Sequence, residues 1–342
     1  MVTAHPEGGA DAGTPAGGGP GGSGTGSSDG ARGGGGEAEA IEFLARALPP
    51  GPADEVWLGD DTAVLRLGSG REGRLLLAAD AVVAGLDADL ALTTLADLGW
   101  KALAVNVSDV AAMGGRPLHA VVTVIGAGMA QLEQLYDGIV QAATHFECPV
   151  VGGDLSGGEG LALSVAVTGW CDDHPVLRSG ARAGDGIWVT GPLGAASAGL
   201  RVLQARGPAL LAPDQRALVL AHARPRPVVA AGTAARQAGA TAMVDVSDGL
   251  LADLGHIAER SGVGFRLTEV PVAPGATIED ALAGGDDYVL VFTLPAGADP
   301  GPAFRAHGLG EPLALGRCLP DPAQRLFKGD RVGARGWQHR LG

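Results

Sequence analysis

Lysine is nearly absent from the chain: Lys101 and Lys328 are the only two among 342 residues. There is no GxxxxGK(S/T) segment either, which excludes a P-loop in which a lysine grips phosphate. GAGMAQ at 126–131 lacks the third glycine of a dinucleotide fingerprint. Basic residues are outnumbered, 24 against 38 acids, and the formal charge of -14 excludes nucleic acid, whose phosphates need a basic face. The three cysteines, Cys148, Cys171 and Cys318, are far apart and form no CxxC. They read as free, mostly buried thiols, without a zinc site or disulfide framework. No apolar stretch is long enough to span a bilayer, and the N-terminus lacks the basic start and apolar middle of a signal peptide. The expectation is a cytoplasmic protein with no membrane contact.

What is present is enough chain for two domains with cores of their own. Residues 1–36 form a separate class of sequence, since 15 of the 36 are glycine. Such a tail cannot bury enough apolar surface to offset its ordering entropy and is expected to be disordered. From Glu37 onward, helical and strand-like periods alternate. Helices are expected over 41–48, 93–105, 131–146, 194–205, 213–222, 227–238 and 249–261. Strands are expected over 63–67, 74–80, 119–125, 149–151, 161–169, 186–190, 242–246, 264–268, 288–294 and 313–317. The pattern predicts a mixed α/β fold of two domains, 37–175 and 176–342.

Acids recur beside the apolar runs. Asp60 and Asp61 precede one, Asp80 ends LLLAA, Asp109 interrupts LAVNVSDVAAMGG, and Asp154 follows VVGG. In VDVSDGLLADL, Asp245 and Asp248 flank Ser247 just before a helical stripe. Each taken alone has a plain explanation: a turn, a strand stop, or, for Ser247 or Asp248, a helix N-cap. Five such segments together suggest convergence. Two carboxylates about 4 Å apart near a surface repel by roughly 4 kcal/mol, so a cluster needs protons or a cation. Oxygen-only ligands point to a hard ion, and Mg2+ is the usual one. The glycines of GGDLSGG, Gly153 among them, would let backbone N–H groups approach phosphate beside Asp154. With so few lysines, arginine must assist, and Arg178 is either that group or a salt-bridge partner at the domain boundary.

Several segments, in order, carry a resemblance over roughly residues 37–340: GDDTAVL, DLGWKALAVNVSDVAAMGG, VVGGD, RSGARAGDGIWVTGPLG, VDVSDGLLADLGHIAERSG, ALAGGDDYVLVFT and GWQH. The chain resembles the thiamine-monophosphate kinase family, within the superfamily that includes aminoimidazole ribonucleotide synthetase. The resemblance implies the synthetase-like two-domain fold, with N-terminal domains joined into a shared β-barrel in a homodimer. It implies Mg2+-dependent transfer of the γ-phosphoryl group of ATP to thiamine monophosphate. By matching positions, Asp60, Asp61, Asp80, Asp109, Asp154, Asp245 and Asp248 would hold Mg2+. Gly153, Asp154, Arg178 and Ser247 would contact the nucleotide, and Trp337 would cover the thiamine moiety.

Three positions depart from the family pattern. Asp87 stands where a substrate-contacting histidine is usual, Asp286 where GGEDY has glutamate, and Ala78-Ala79 where Ser or Thr precedes Asp80. Asp87 and Asp286 are therefore the residues on which the acceptor depends. The alternatives they leave are a related ATP-using enzyme with another acceptor and a non-catalytic nucleotide-binding relative.

Overall fold

The computed structural model describes residue 46 and residues 52–57, 60–67, 73–209, 211–333 and 335–337. The glycine-rich tail, Gly59 and all of the 41–48 helix except Arg46 lie outside them.

The first sheet consists of β1 (Ala63–Leu65), β2 (Arg74–Val83), β3 (Arg116–Ile125), β4 (Val150–Ser156) and β5 (Ala162–Cys171), in the order β1-β2-β5-β3-β4. All neighbours are antiparallel except β3 and β4, which pair in parallel. Period-two alternation sends Leu76, Val122, Val124, Leu163, Val165 and Val167 into the core, against helices α1 (Leu95–Ala112) and α2 (Met129–His145). The same alternation turns Leu77, Val121 and Ile125 outward on the opposite face, and edge strand β4 adds exposed Val151 and Leu155. Thr94 caps α1, accepting the Asp97 N–H at 3.1 Å.

The second sheet has seven strands: β6 (Gly186–Val189), β7 (Ala242–Asp245), β8 (Gly264–Leu267), β9 (Leu290–Leu294), β10 (Leu313–Leu319), β11 (Arg325–Phe327) and β12 (Asp330–Arg331). Their order is β12-β11-β8-β10-β6-β9-β7. Around it lie α3 (Ala195–Arg206), α4 (Pro213–Ala223), α5 (Val229–Gln237), α6 (Leu250–Ser261), α7 (Ile278–Ala283) and α8 (Gly301–Ala306). The short elements α7, α8, β11 and β12 escaped the periodicity because six residues or fewer give too little of a period to read.

A third core joins the two sheets' surroundings. Ala112, at the end of α1, packs with Ala231, Ala234 and Ala235 of α5 and with Phe292 and Phe304. All three cysteines are buried and free.

The acids do not follow the expected strand-end rule. Only Asp245 ends a strand; Asp80 lies inside β2 and Asp154 inside β4, each with further strand beyond it. Asp109 sits in α1, which runs to Ala112 rather than stopping near 105. Burial of Val107, Val110 and Ala111 on the sheet overrides the weaker helix propensity of Asn, Ser and Val in that segment.

Candidate active site

The site is assembled where α1, the end of β7, the turn before β1 and the segment joining the two sheets meet. Asp245, 2% exposed, accepts a hydrogen bond from Ser108 Oγ of α1 at 2.5 Å. Carboxylate oxygens of Asp61, Asp109 and Asp245 lie within 4.8 Å of one another. Asp80 is exposed on β2, and its backbone N–H donates to Asn106 Oδ1 at 3.0 Å. A helix thus connects to both a strand of its own sheet and the end of a strand in the other.

Arg178 is the cation in this group. Its Nη2 lies 2.6 Å from Asp61 Oδ1, and its backbone N–H reaches both Asp60 oxygens at 3.1 Å. The two readings of Arg178 are therefore not exclusive, since it is a salt-bridge partner within the acid cluster itself. Burial alone would lower its pKa, but the charges of Asp61, Asp245 and Asp60 hold it above its ordinary value. Even so, Asp61 Oδ2 and Arg178 Nε are buried without hydrogen-bond partners among the described residues.

One guanidinium does not offset the acids. Burial and the Asp61 charge push Asp60 up to about 7. Burial, then the same neighbour, pushes Asp245 up to about 7, and burial with the Asp80 charge holds Asp109 well above the carboxylate range. The donor set is all oxygen, tightly grouped, with one buried carboxylate oxygen unpaired, which fits Mg2+.

The raised values also predict a pH effect. A group whose folded pKa exceeds its unfolded one contributes stability below the unfolded pKa, near 4, and loses it as pH rises through about 7. In chelator, the melting temperature should fall between pH 5 and 8, and added Mg2+ should raise it more at pH 8 than at pH 5. Equal Mg2+ shifts at both pH values, by differential scanning fluorimetry, would contradict a metal-binding cluster.

A second group adjoins the first: Asp248, Asp253 and His256 also offer ligand atoms within 4.8 Å of one another. Asp253 was missed in the sequence, although it is an acid in an otherwise leucine-rich helical face. Its Oδ2 accepts the N–H groups of Asp248 and Gly249 at 3.1 and 3.0 Å. The expected cap at Ser247 or Asp248 is thereby corrected. Gly249 is the N-cap of α6, no side chain caps from that position, and Asp253 reaches back from the first turn. Burial and the nearby Arg178 charge hold the His256 imidazole below its ordinary pKa.

The remaining expected residues are more dispersed. Asp80 pairs with Val165, Val165 with Val122, and Val122 with Gly153. At about 4.8 Å per strand, Asp80 and Gly153 are separated by roughly 14 Å along the sheet. Exposed Asp154, which accepts from Ser156 Oγ at 3.0 Å, lies beside Gly153 and outside both acid groups. A Cβ on Gly153 would sit 1.8 Å from the Val122 carbonyl, so strand packing alone requires this glycine. Asp87 accepts the Val83 N–H at 2.8 Å across its own turn. Trp337 is half exposed, and its backbone N–H donates to the Asp248 carbonyl at 3.0 Å, fastening the C-terminal segment beside the second group. Asp286 is bound by Lys101 at 2.7 Å and by Tyr288 at 3.1 Å.

Two sheets joined by a helix that delivers acids to their junction define an AIR synthase-related protein. Residues 59–171 match the family "AIR synthase related protein, N-terminal domain", and residues 182–305 match its C-terminal domain. Within that class, the chain is 37% identical over 254 residues to thiamine-monophosphate kinase of Escherichia coli O157:H7, covering 70% of this chain and 77% of that protein. It is 35% identical over 324 residues to the Mycobacterium tuberculosis (strain CDC 1551 / Oshkosh) enzyme of the same name, covering 89% and 91%. The solved structure "AaThiL complexed with AMPPCP and TMP" superposes with a TM-score of 0.78 at 32% identity, covering 89% of this chain and 97% of that one. The chain belongs to the thiamine-monophosphate kinase family.

Proposed function

We propose that this protein transfers the γ-phosphoryl group of ATP to thiamine monophosphate, giving ADP and thiamine diphosphate. The observation that carries the reading is the cluster of Asp61, Asp109 and Asp245 around Arg178, with its unpaired buried carboxylate oxygen. An ionised phosphate oxygen of the acceptor forms the new bond to the γ-phosphorus as the bond to the β–γ bridging oxygen breaks. ADP leaves with that electron pair. No general base is needed, so the protein's work is alignment and charge.

Asp60, Asp61, Asp80, Asp109, Asp154, Asp245 and Asp248 are the proposed Mg2+ ligands. When bound, Mg2+ would offset repulsion between the two polyanions. Asp154 is too far from Asp80 along the sheet to share one ion with it in a single protomer, so it serves a separate ion. Arg178, Ser247, Gly153 and Asp154 are assigned to the nucleotide. Asp87 and Trp337 are assigned to the acceptor, a cationic thiazolium and aminopyrimidine that a carboxylate and an aromatic ring suit, with Asp286, its charge paired with Lys101, bordering that site.

We further propose a homodimer built on the outer face of the first sheet, supported by exposed Val121, Ile125, Val151 and Leu155 along β3 and its edge neighbour β4. Val121→Glu with Leu155→Glu should give a monomer by light scattering; an unchanged mass would remove this face from the interface. The cytoplasm remains the proposed compartment. Among the described residues no helix is long and apolar enough to cross a membrane.

The test of function is formation of thiamine diphosphate by the purified protein with Mg2+, ATP and thiamine monophosphate, against controls lacking acceptor. ATP binding without product would favour a different acceptor, the second reading, which Asp87's commitment to its own turn supports.

A further inference from the structure

Beside the acid clusters, a set of buried groups bonds α1 to the loop that carries Asp286. Lys101, one of only two lysines in the chain, is 5% exposed on α1 and donates from Nζ to Asp286 Oδ2 at 2.7 Å. Tyr288 donates its hydroxyl to the other Asp286 oxygen at 3.1 Å. His222 of α4, also buried, brings Nδ1 to 3.4 Å from Asp286 Oδ2, and among the described residues that nitrogen has no hydrogen-bond partner.

The loop carrying Asp286 is in turn bonded to the segment that carries the site. Asp286 N–H donates to the Ser247 carbonyl at 2.8 Å, and Tyr288 N–H to that of Val246 at 2.9 Å. The approach is so close that a Cβ on Gly285 would lie 2.2 Å from the Ser247 carbonyl. Helix α1 meets the same segment a second time through Ser108 and Asp245. Lys101 and Ser108 are seven residues apart and so share one face of α1, about 10 Å apart along its axis. The helix is tied to the 245–248 segment directly at Ser108 and, two turns away, through Asp286 at Lys101.

The loop backbone points the same way. Asp286 (φ 66°) and Tyr288 (φ 50°) both occupy the left-handed region, which is unfavourable for side-chain-bearing residues and especially for a bulky one. Glycine would relieve that conformation but could supply neither the carboxylate nor the phenol, which bond to each other.

We propose that Lys101 and Tyr288 are positioning residues that, through Asp286, set the 245–248 segment against α1. Asp245 from one sheet's side thereby faces Asp61 and Asp109 from the other at the separation that metal binding needs. The inference rests on the metal-assisted reading above.

The test is a calorimetric titration of the full chain with Mg2+ in the presence of a non-hydrolysable ATP analogue, for the wild type, Lys101→Met, Lys101→Arg and Tyr288→Phe. Half-saturating Mg2+ should rise about 10-fold or more in Lys101→Met and Tyr288→Phe, the usual scale for residues that orient metal ligands. Lys101→Arg, which retains the charge, should recover part of it. A brace that is merely structural would lower the melting temperature and leave the titration in place. Wild-type Mg2+ affinity in both loss variants, with unchanged far-UV circular dichroism, overturns the proposal. If Lys101→Met does not fold, Tyr288→Phe, which removes one hydroxyl, decides alone. Wild-type protein that binds Mg2+ with the analogue but makes no thiamine diphosphate would refute the kinase reading, and the titration would still decide the positioning role. Wild-type protein that binds no Mg2+ would overturn both.

Discussion

Asp245→Asn is expected to lower phosphoryl transfer by about 10³-fold while leaving the metal-free protein as stable as the wild type or more so. The activity loss follows from replacing a proposed metal ligand at the centre of the cluster, where stabilisation of transferring phosphoryl charge is worth several kcal/mol. The stability expectation has a separate cause. Asp245 is fully enclosed, and burial with the Asp61 charge already pushes it up to about 7, so the charged form is disfavoured in the fold. Asparagine removes that charge and keeps an oxygen able to accept the Ser108 hydroxyl. Steady-state turnover and chemical denaturation in chelator would be measured on the same preparation. Near-wild-type turnover would remove Asp245 from the metal site, whereas a large stability loss would mean that its role is structural.

Arg178→Met should have the largest effect on stability. Asp61 has no side-chain exposure and the Arg178 guanidinium supplies its ion pair, whereas the Arg178 backbone N–H that bonds Asp60 is retained by methionine. Removing one member of a buried pair leaves an uncompensated charge and typically costs about 3–5 kcal/mol. Addition of Mg2+ should return a substantial part of this by offsetting the same acids. The double variant Asp61→Asn with Arg178→Met should be more stable than Arg178→Met alone, because the stranded charge is gone. Denaturant unfolding with and without Mg2+ measures all of these. Equal stability of the single and double variants would show that the Asp61 charge is not what Arg178 offsets.

The architecture was legible wherever a period ran long enough. Alternation over 119–125 and 161–169, and the leucine stripe from Leu250 to Ile257, correspond to β3, β5 and α6. Boundaries moved where tertiary burial outweighed local preference, as in α1, which continues through Ser108 and Asp109. The acids were legible as chemistry but not as geometry. Asp61, Asp109 and Asp245 come together from three distant segments, while Asp154 stands apart on the edge of the sheet. Lys101 gave a compositional signal, a single lysine in the apolar run LGWKALAVNV, yet its partner lies 185 residues further on.

The sequence by itself determined the family, the mixed α/β class and the carboxylate chemistry, because these depend on residue type, local spacing and ordered motifs. Only the tertiary structure decided which acids share a centre, that Asp253 rather than Asp248 closes the start of α6, and that Lys101 meets Asp286. Those outcomes depend on how α1 and the 245–248 segment are brought together by burial of the surrounding core, and no local period encodes a contact between segments so far apart in the chain.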